Sequence, residues 1–142
     1  KNYILNEVKK AESKLRRYIE EIKSEYNLDY SDICLSGFSQ GCMMSINLGL
    51  TSKDPFNCIV GFSGKIIDKE DLDLRLVSKT KTLLIHGEKD EIVPPYNLLE
   101  AKDFFTRNNI SIETLMIKNC DHHIPIEASS NALKFIKTNF NY

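Results

Sequence analysis

Short apolar runs alternate with amphipathic stretches along nearly the whole chain, and this alternation restricts the fold more than any other feature. Residues 33–36, 57–62, 81–86 and 111–117 read as strands, the first short and buried, the second and third carrying continuous apolar runs (Cys58, Ile59, Val60, Phe62; Leu83, Leu84, Ile85). A strand that is apolar on both faces must be covered on both faces. Between and around the strands, residues 3–26, 40–52, 94–108 and 125–140 read as helices. The first carries Ile4, Val8, Ala11, Leu15, Ile19, Ile22 and Tyr26 at three- and four-residue spacing, with Lys9, Glu12, Arg16, Arg17, Glu20 and Lys23 on the other face. Pro94 and Pro95 are tolerated in the first turn of the third helix. The last helix runs through Ile126, Ala132, Leu133, Ile136 and Phe140. Residues 65–80 are charged and irregular, with room for one short helical turn. Helix, then strand and helix in repetition, predicts an α/β fold: a mostly parallel sheet with helices on both faces.

Composition narrows the class of function. Of 142 residues, 42% are hydrophobic, enough for one buried core and too many for a disordered chain. The 19 basic and 20 acidic residues are interspersed, so no concentrated basic surface exists for nucleic acid. No apolar run approaches the length of a membrane span. The cysteines, at 34, 42, 58 and 120, contain no C-x-x-C pair, and free thiols in a reducing, cytoplasmic setting are expected. With no repeat or linker, the chain reads as one domain. It opens at Lys1, without Met, directly into helical periodicity, and a piece of something longer is expected.

One segment carries chemistry. Gly37-Phe38-Ser39-Gln40-Gly41 is a G-x-S-x-G between an expected strand and an expected helix, the context in which the motif has a mechanical meaning. The chain must turn sharply while holding the serine in a strained conformation. Side chains two residues before and after would collide, so glycine is expected to be required at both 37 and 41. Ser39 then stands at a helix N-terminus, and the N–H of Gln40 is placed to meet a developing oxyanion.

A serine hydroxyl needs a base, and the base needs an orienting acid, in the chain order Ser, Asp/Glu, His for this type of turn. His122 and His123 follow the last strand, where the base belongs. His86 precedes any acid that could serve it and reads as a structural residue of the strand-to-loop turn. Glu88, Asp90 and Glu91 follow the third strand. Asp90, between a glycine turn and apolar Ile92 and Val93, can be buried and hold a ring nitrogen, whereas Glu88 and Glu91 read as solvated loop charges. Asp121 adjoins His122 too closely for side-on orientation and reads as a surface residue.

These stretches resemble the phospholipase/carboxylesterase family of α/β hydrolases, which includes acyl-protein thioesterases. Residues 33–41 are similar to that family's nucleophile segment, and Gly61-Phe62-Ser63-Gly64 to its next strand end. Residues 86–94 resemble its H-G-x-x-D-x-x-V-P acid loop. His122-His123-Ile124-Pro125-Ile126-Glu127-Ala128 resembles its H-x-I-x-x-E-A segment, and that alignment selects His122 over His123. The resemblance implies an α/β-hydrolase fold of which the C-terminal two-thirds is present. It implies a serine carboxylesterase or thioesterase with Ser39, His122 and Asp90 as its triad. Its substrates would be small acyl esters, lysophospholipids or acylated proteins, with no cofactor and with room for a homodimer. Cys42 stands where the family usually has glycine, and a modest tightening of the helix start is expected. The family's H-G-containing loop, which provides a second oxyanion N–H, has no counterpart in this sequence. A non-catalytic remnant is therefore the alternative, and a peptidase of the same fold a further one.

The other signals read more plainly. Cys120, Asp121, His122 and His123 are contiguous and cannot all converge on one metal ion, so no metal is expected. Met43, Met44, Phe104 and Phe105 read as core, Ser63 as a strand-end hydrogen-bonding residue, and Lys9, Lys10, Arg16 and Arg17 as the wet side of the first helix.

Overall fold

A computed structural model describes residues 2–142. In chain order the elements are α1 (Asn2–Tyr26), a 3-10 turn (Tyr30–Asp32), β1 (Cys34–Phe38), α2 (Gln40–Leu50), β2 (Cys58–Phe62), α3 (Lys69–Arg75), β3 (Thr82–Gly87), α4 (Tyr96–Arg107), β4 (Ile112–Ile117) and α5 (Ile126–Asn139). The four strands form one sheet in the order β1-β2-β3-β4, every pair parallel. Parallel neighbours require a crossover, and each is made by a helix.

Strand alternation divides the core between the two faces. Ile59 and Leu84 point to one face, where they meet Ile46 and Leu50 of α2, Leu72 of α3, and Leu98, Phe104 and Phe105 of α4. Val60, Leu83 and Ile85 point to the other, against Ala128 and Ala132 of α5 with Phe135 and Ile136 beside them. α1 packs outside α2 through Leu15 and Ile19, which close on Leu48 and Phe56. β2 and β3 are buried along their whole length, as their continuous apolar runs require.

Several expectations change. β1 is not fully buried: it is an edge strand, half-buried along most of its length, because β2 is its one partner among the described residues. It also extends through Gly37 and Phe38 rather than ending at Ser36. The acidic stretch after β2 builds two turns of helix, started by Asp68, whose side chain accepts from the Asp71 N–H. In α5 the buried stripe is Ala128, Ala132, Phe135 and Ile136, while Ile126 and Leu133 are exposed. In α1, Ile4 and Tyr26 are exposed.

Two polar residues of α1 that read as solvated face inward instead. Glu12, 5% exposed, accepts from Arg75 Nη2 and Nη1 at 3.0 and 3.1 Å, and from the Asn47 side-chain amide at 3.2 Å. Arg16, one turn on, donates to the Ser52 and Thr51 hydroxyls at 2.8 and 2.7 Å. These bonds fasten α1 to α2 and α3 through charge, where the sequence pattern pointed to apolar contact alone.

Candidate active site

The carboxyl ends of β1, β3 and β4 bring three side chains together. Ser39 follows β1 with φ 56° and ψ −113°, a backbone state that costs a non-glycine residue of order 1–3 kcal/mol. Its N–H is tied to the Phe62 carbonyl at 2.7 Å, so the neighbouring strand end holds the turn in place. Serine before a helix ordinarily caps it with its hydroxyl. Here the side chain makes no such bond, and the strained turn leaves the Oγ free to face the loop after β4.

The glycine argument holds for one of its two positions. A Cβ on Gly37 would lie 2.2 Å from the Gly41 carbonyl carbon, a collision of backbone with backbone. A Cβ on Gly41 would meet nothing within 4 Å. Gly41 is exposed in the groove beside the free edge of β1, so the expected collision there is absent.

His122 lies in the turn between β4 and α5. Its Nε2 is 3.1 Å from Ser39 Oγ and its Nδ1 2.7 Å from Asp90 Oδ2. A carboxylate can only accept, so Nδ1 carries the proton and Nε2 is left to accept from the serine hydroxyl. The Phe38 ring packs 4.7 Å from the imidazole, centroid to centroid. Gly87 brings the β3 exit against the histidine loop: a Cβ there would stand 2.4 Å from the carbonyl oxygens of Cys120 and Asp121.

Asp90 is buried, its side chain closed to solvent. The N–H groups of Ile92 and Val93 donate to Oδ1 at 2.9 and 2.8 Å, leaving Oδ2 to His122. Burial pushes its carboxyl up, but the hydrogen bonds from His122, Val93 and Ile92 outweigh burial and hold it below the usual carboxylate range. Glu88 and Glu91 are exposed, as expected for loop charges. Asp121 is exposed and bonds to His123 Nδ1, on the surface and away from Asp90.

Gln40 is the first residue of α2, where a backbone N–H has no carbonyl one turn earlier to receive it. Met43 and Met44 are half-buried and, with Tyr3, Ile4 and Val8, line a groove between the starts of α1 and α2, so they are not core. Phe104 and Phe105 are fully buried. Ser63, buried at the end of β2, adopts φ 55°, and its N–H bonds to the Ile85 carbonyl. Cys42 does more than tighten the helix start. Its Sγ occupies the space opposite Gly61 and Gly64, 2.4 and 2.5 Å from where their Cβ atoms would be, and accepts from the Gly64 N–H. No group of three His, Cys, Asp or Glu among the described residues is placed to hold a metal ion, and none of the described helices is long and apolar enough to cross a membrane.

Sequence reasoning missed the environment of His86. It is buried within β3's end, and its ring reaches both Val93 and Asp90. The four-residue spacing to Asp90 was the available signal.

Three solved structures share this arrangement of elements. Esterase PE8 superposes with a TM-score of 0.90 at 29% identity, over 92% of this chain and 61% of its own. SOBER1 of Arabidopsis thaliana gives 0.87 at 18%, over 94% and 64%. Acyl-protein thioesterase 2 of Zea mays gives 0.68 at 18%, over 84% and 62%. The chain thus spans less than two-thirds of each of these structures. The model of the phospholipase/carboxylesterase family matches residues 2–140, and the chain belongs to that family.

Proposed function

We propose that this chain carries the acyl-transfer site of a serine carboxylesterase or thioesterase. The observation that supports it best is the continuous path from Ser39 Oγ to His122 Nε2, and from His122 Nδ1 to Asp90 Oδ2, at 3.1 and 2.7 Å. In this reading Ser39 attacks the acyl carbonyl carbon as its proton passes to His122 Nε2. Asp90 holds the ring in the tautomer that can receive that proton and stabilises the resulting imidazolium. The oxyanion accepts from the Gln40 N–H, a donor whose loss costs about 3 kcal/mol in the transition state. His122 returns the proton to the departing alcohol or thiol. Water, deprotonated by the same nitrogen, then releases the acid and regenerates Ser39. No step calls for a cofactor.

Family membership and the likeness to the maize acyl-protein thioesterase favour small acyl esters, lysophospholipids or acylated protein thiols as substrates. A short-chain nitrophenyl ester and a fluorophosphonate probe test the reading. Hydrolysis and labelling, both lost in Ser39→Ala, are expected. A wild-type chain, and a longer form carrying additional N-terminal sequence, that both resist the probe would refute it. The second reading, a remnant that keeps the triad without turnover, is favoured by a single identified oxyanion donor, the Gln40 N–H. It predicts no labelling in either form.

A further inference from the structure

His86 stands one residue before the end of β3, with its side chain 1% exposed. A buried imidazole has to place its N–H on an acceptor. Nε2 lies 2.8 Å from the Val93 carbonyl oxygen, which can only accept, so Nε2 carries the proton. Val93 is also the residue whose N–H donates to Asp90 Oδ1 at 2.8 Å. One residue therefore receives the His86 ring on its C=O and fixes the carboxylate with its N–H.

The same ring nitrogen is 3.5 Å from Asp90 Oδ2, the oxygen that accepts from His122. The acid loop is also held by the Asp90 N–H to the Gly87 carbonyl at 3.3 Å, the Lys89 N–H to the Cys120 carbonyl at 2.8 Å, and the Asn119 N–H to Glu88 Oε1 at 3.4 Å. The bond from His86 holds the Val93 carbonyl, one Cα away from the N–H that fixes Oδ1.

We propose that His86 is a positioning residue for the reaction, acting through Val93 to aim the Asp90 carboxylate at His122. It touches no substrate. Its effect belongs to the step in which His122 becomes charged, so its loss lowers kcat and leaves KM nearly unchanged. The kinetic part of this inference rests on the proposed function; the geometric part does not.

The test compares three variants. Glutamine places its amide nitrogen where Nε2 stands in histidine, so His86→Gln keeps the donor. His86→Leu removes it at similar volume. His86→Asn has a donor too short to reach Val93, and serves if the leucine variant fails to fold. With a nitrophenyl ester, the donor-less variants are expected to lose roughly 10- to 100-fold in kcat with KM within about twofold, and His86→Gln to stay within about threefold of wild type. The strongly deshielded proton shared by His122 and Asp90, read by proton NMR without substrate, is expected in wild type and His86→Gln and absent or exchange-broadened in the others. A folded His86→Leu or His86→Asn that keeps both kcat and this resonance overturns the proposal, as does a glutamine variant that loses both. If this chain and a longer form with additional N-terminal sequence both hydrolyse nothing and resist the probe, yet the resonance changes as predicted, the proposed function is overturned and the geometric part of the inference stands.

Discussion

The two glycines of the nucleophile motif should behave oppositely when each is replaced by alanine. At position 37 the new methyl would sit 2.2 Å from the carbonyl carbon of Gly41 and 2.3 Å from its oxygen, against an ordinary contact of 3.4 Å or more. Both neighbours are backbone, so no side chain can swing aside. The start of α2 must move away from β1 by about 1 Å, and Ser39 lies in the segment that moves. Overpacking of this kind costs about 1–3 kcal/mol of stability, and about 1 Å of misplacement at a nucleophile costs about 100-fold in rate. At position 41 the methyl meets nothing within 4 Å and the residue is helical, so alanine should add up to about 1 kcal/mol by removing glycine's freedom in the unfolded chain. Urea denaturation reads the stability, and the rate of fluorophosphonate labelling at Ser39 reads the geometry. Gly37→Ala should fall on both measures, and Gly41→Ala should rise on the first and hold on the second. A destabilised Gly41→Ala, or a neutral Gly37→Ala, would refute the steric reasoning.

Three further outcomes follow from the charges and thiols. Because Asp90 sits below its ordinary range when folded, its contribution to stability is complete above pH ~4 and is lost as pH falls through that value toward its folded one. The stability difference between wild type and Asp90→Asn, measured by denaturation from pH 7 to pH 3, should therefore shrink with acid; a constant difference would contradict the assignment. Glu12→Ala strands the Asn47 amide and leaves Arg75 with Asp71 as its remaining partner, and should cost about 2 kcal/mol, less than a fully buried pair because Arg75 is 27% exposed and keeps that partner. A loss below about 0.5 kcal/mol in urea would show that the Glu12 bonds do not help to hold α1. Burial pushes the Cys42 thiol up to about 12, so at neutral pH it should resist a disulfide reagent in the native protein and react once guanidinium unfolds it, as followed by peptide mass spectrometry.

The site was more legible than the packing around it. Ser39 and Asp90 could be read because local chemistry constrains them: a strand-to-helix turn needs glycine at 37, and a buried carboxylate needs an apolar flank such as Ile92 and Val93. His122 against His123 could not be settled by the residues themselves, since both follow β4; the family's spacing separated them, and the structure sets His122 beside Asp90 and His123 beside Asp121. Glu12, Arg16 and His86 were misread or half-read because their partners are distant in sequence or reached through a backbone carbonyl, and no local pattern encodes that. Ile126 and Leu133 failed for the converse reason. They are apolar at helical spacing, yet α5 turns its small residues, Ala128 and Ala132, onto the sheet.

The hydroxyl, ring and carboxylate lie on loops 83 and 32 residues apart along the chain, and pairing between parallel strands is what closes those gaps. A two-residue slip of β4 against β3 would keep every side chain on its own face, yet carry the imidazole about 7 Å along the strand, out of reach of its acid. Probe labelling thus doubles as a ruler for strand alignment: misfolded material with intact secondary structure should look native by circular dichroism and silent to the probe.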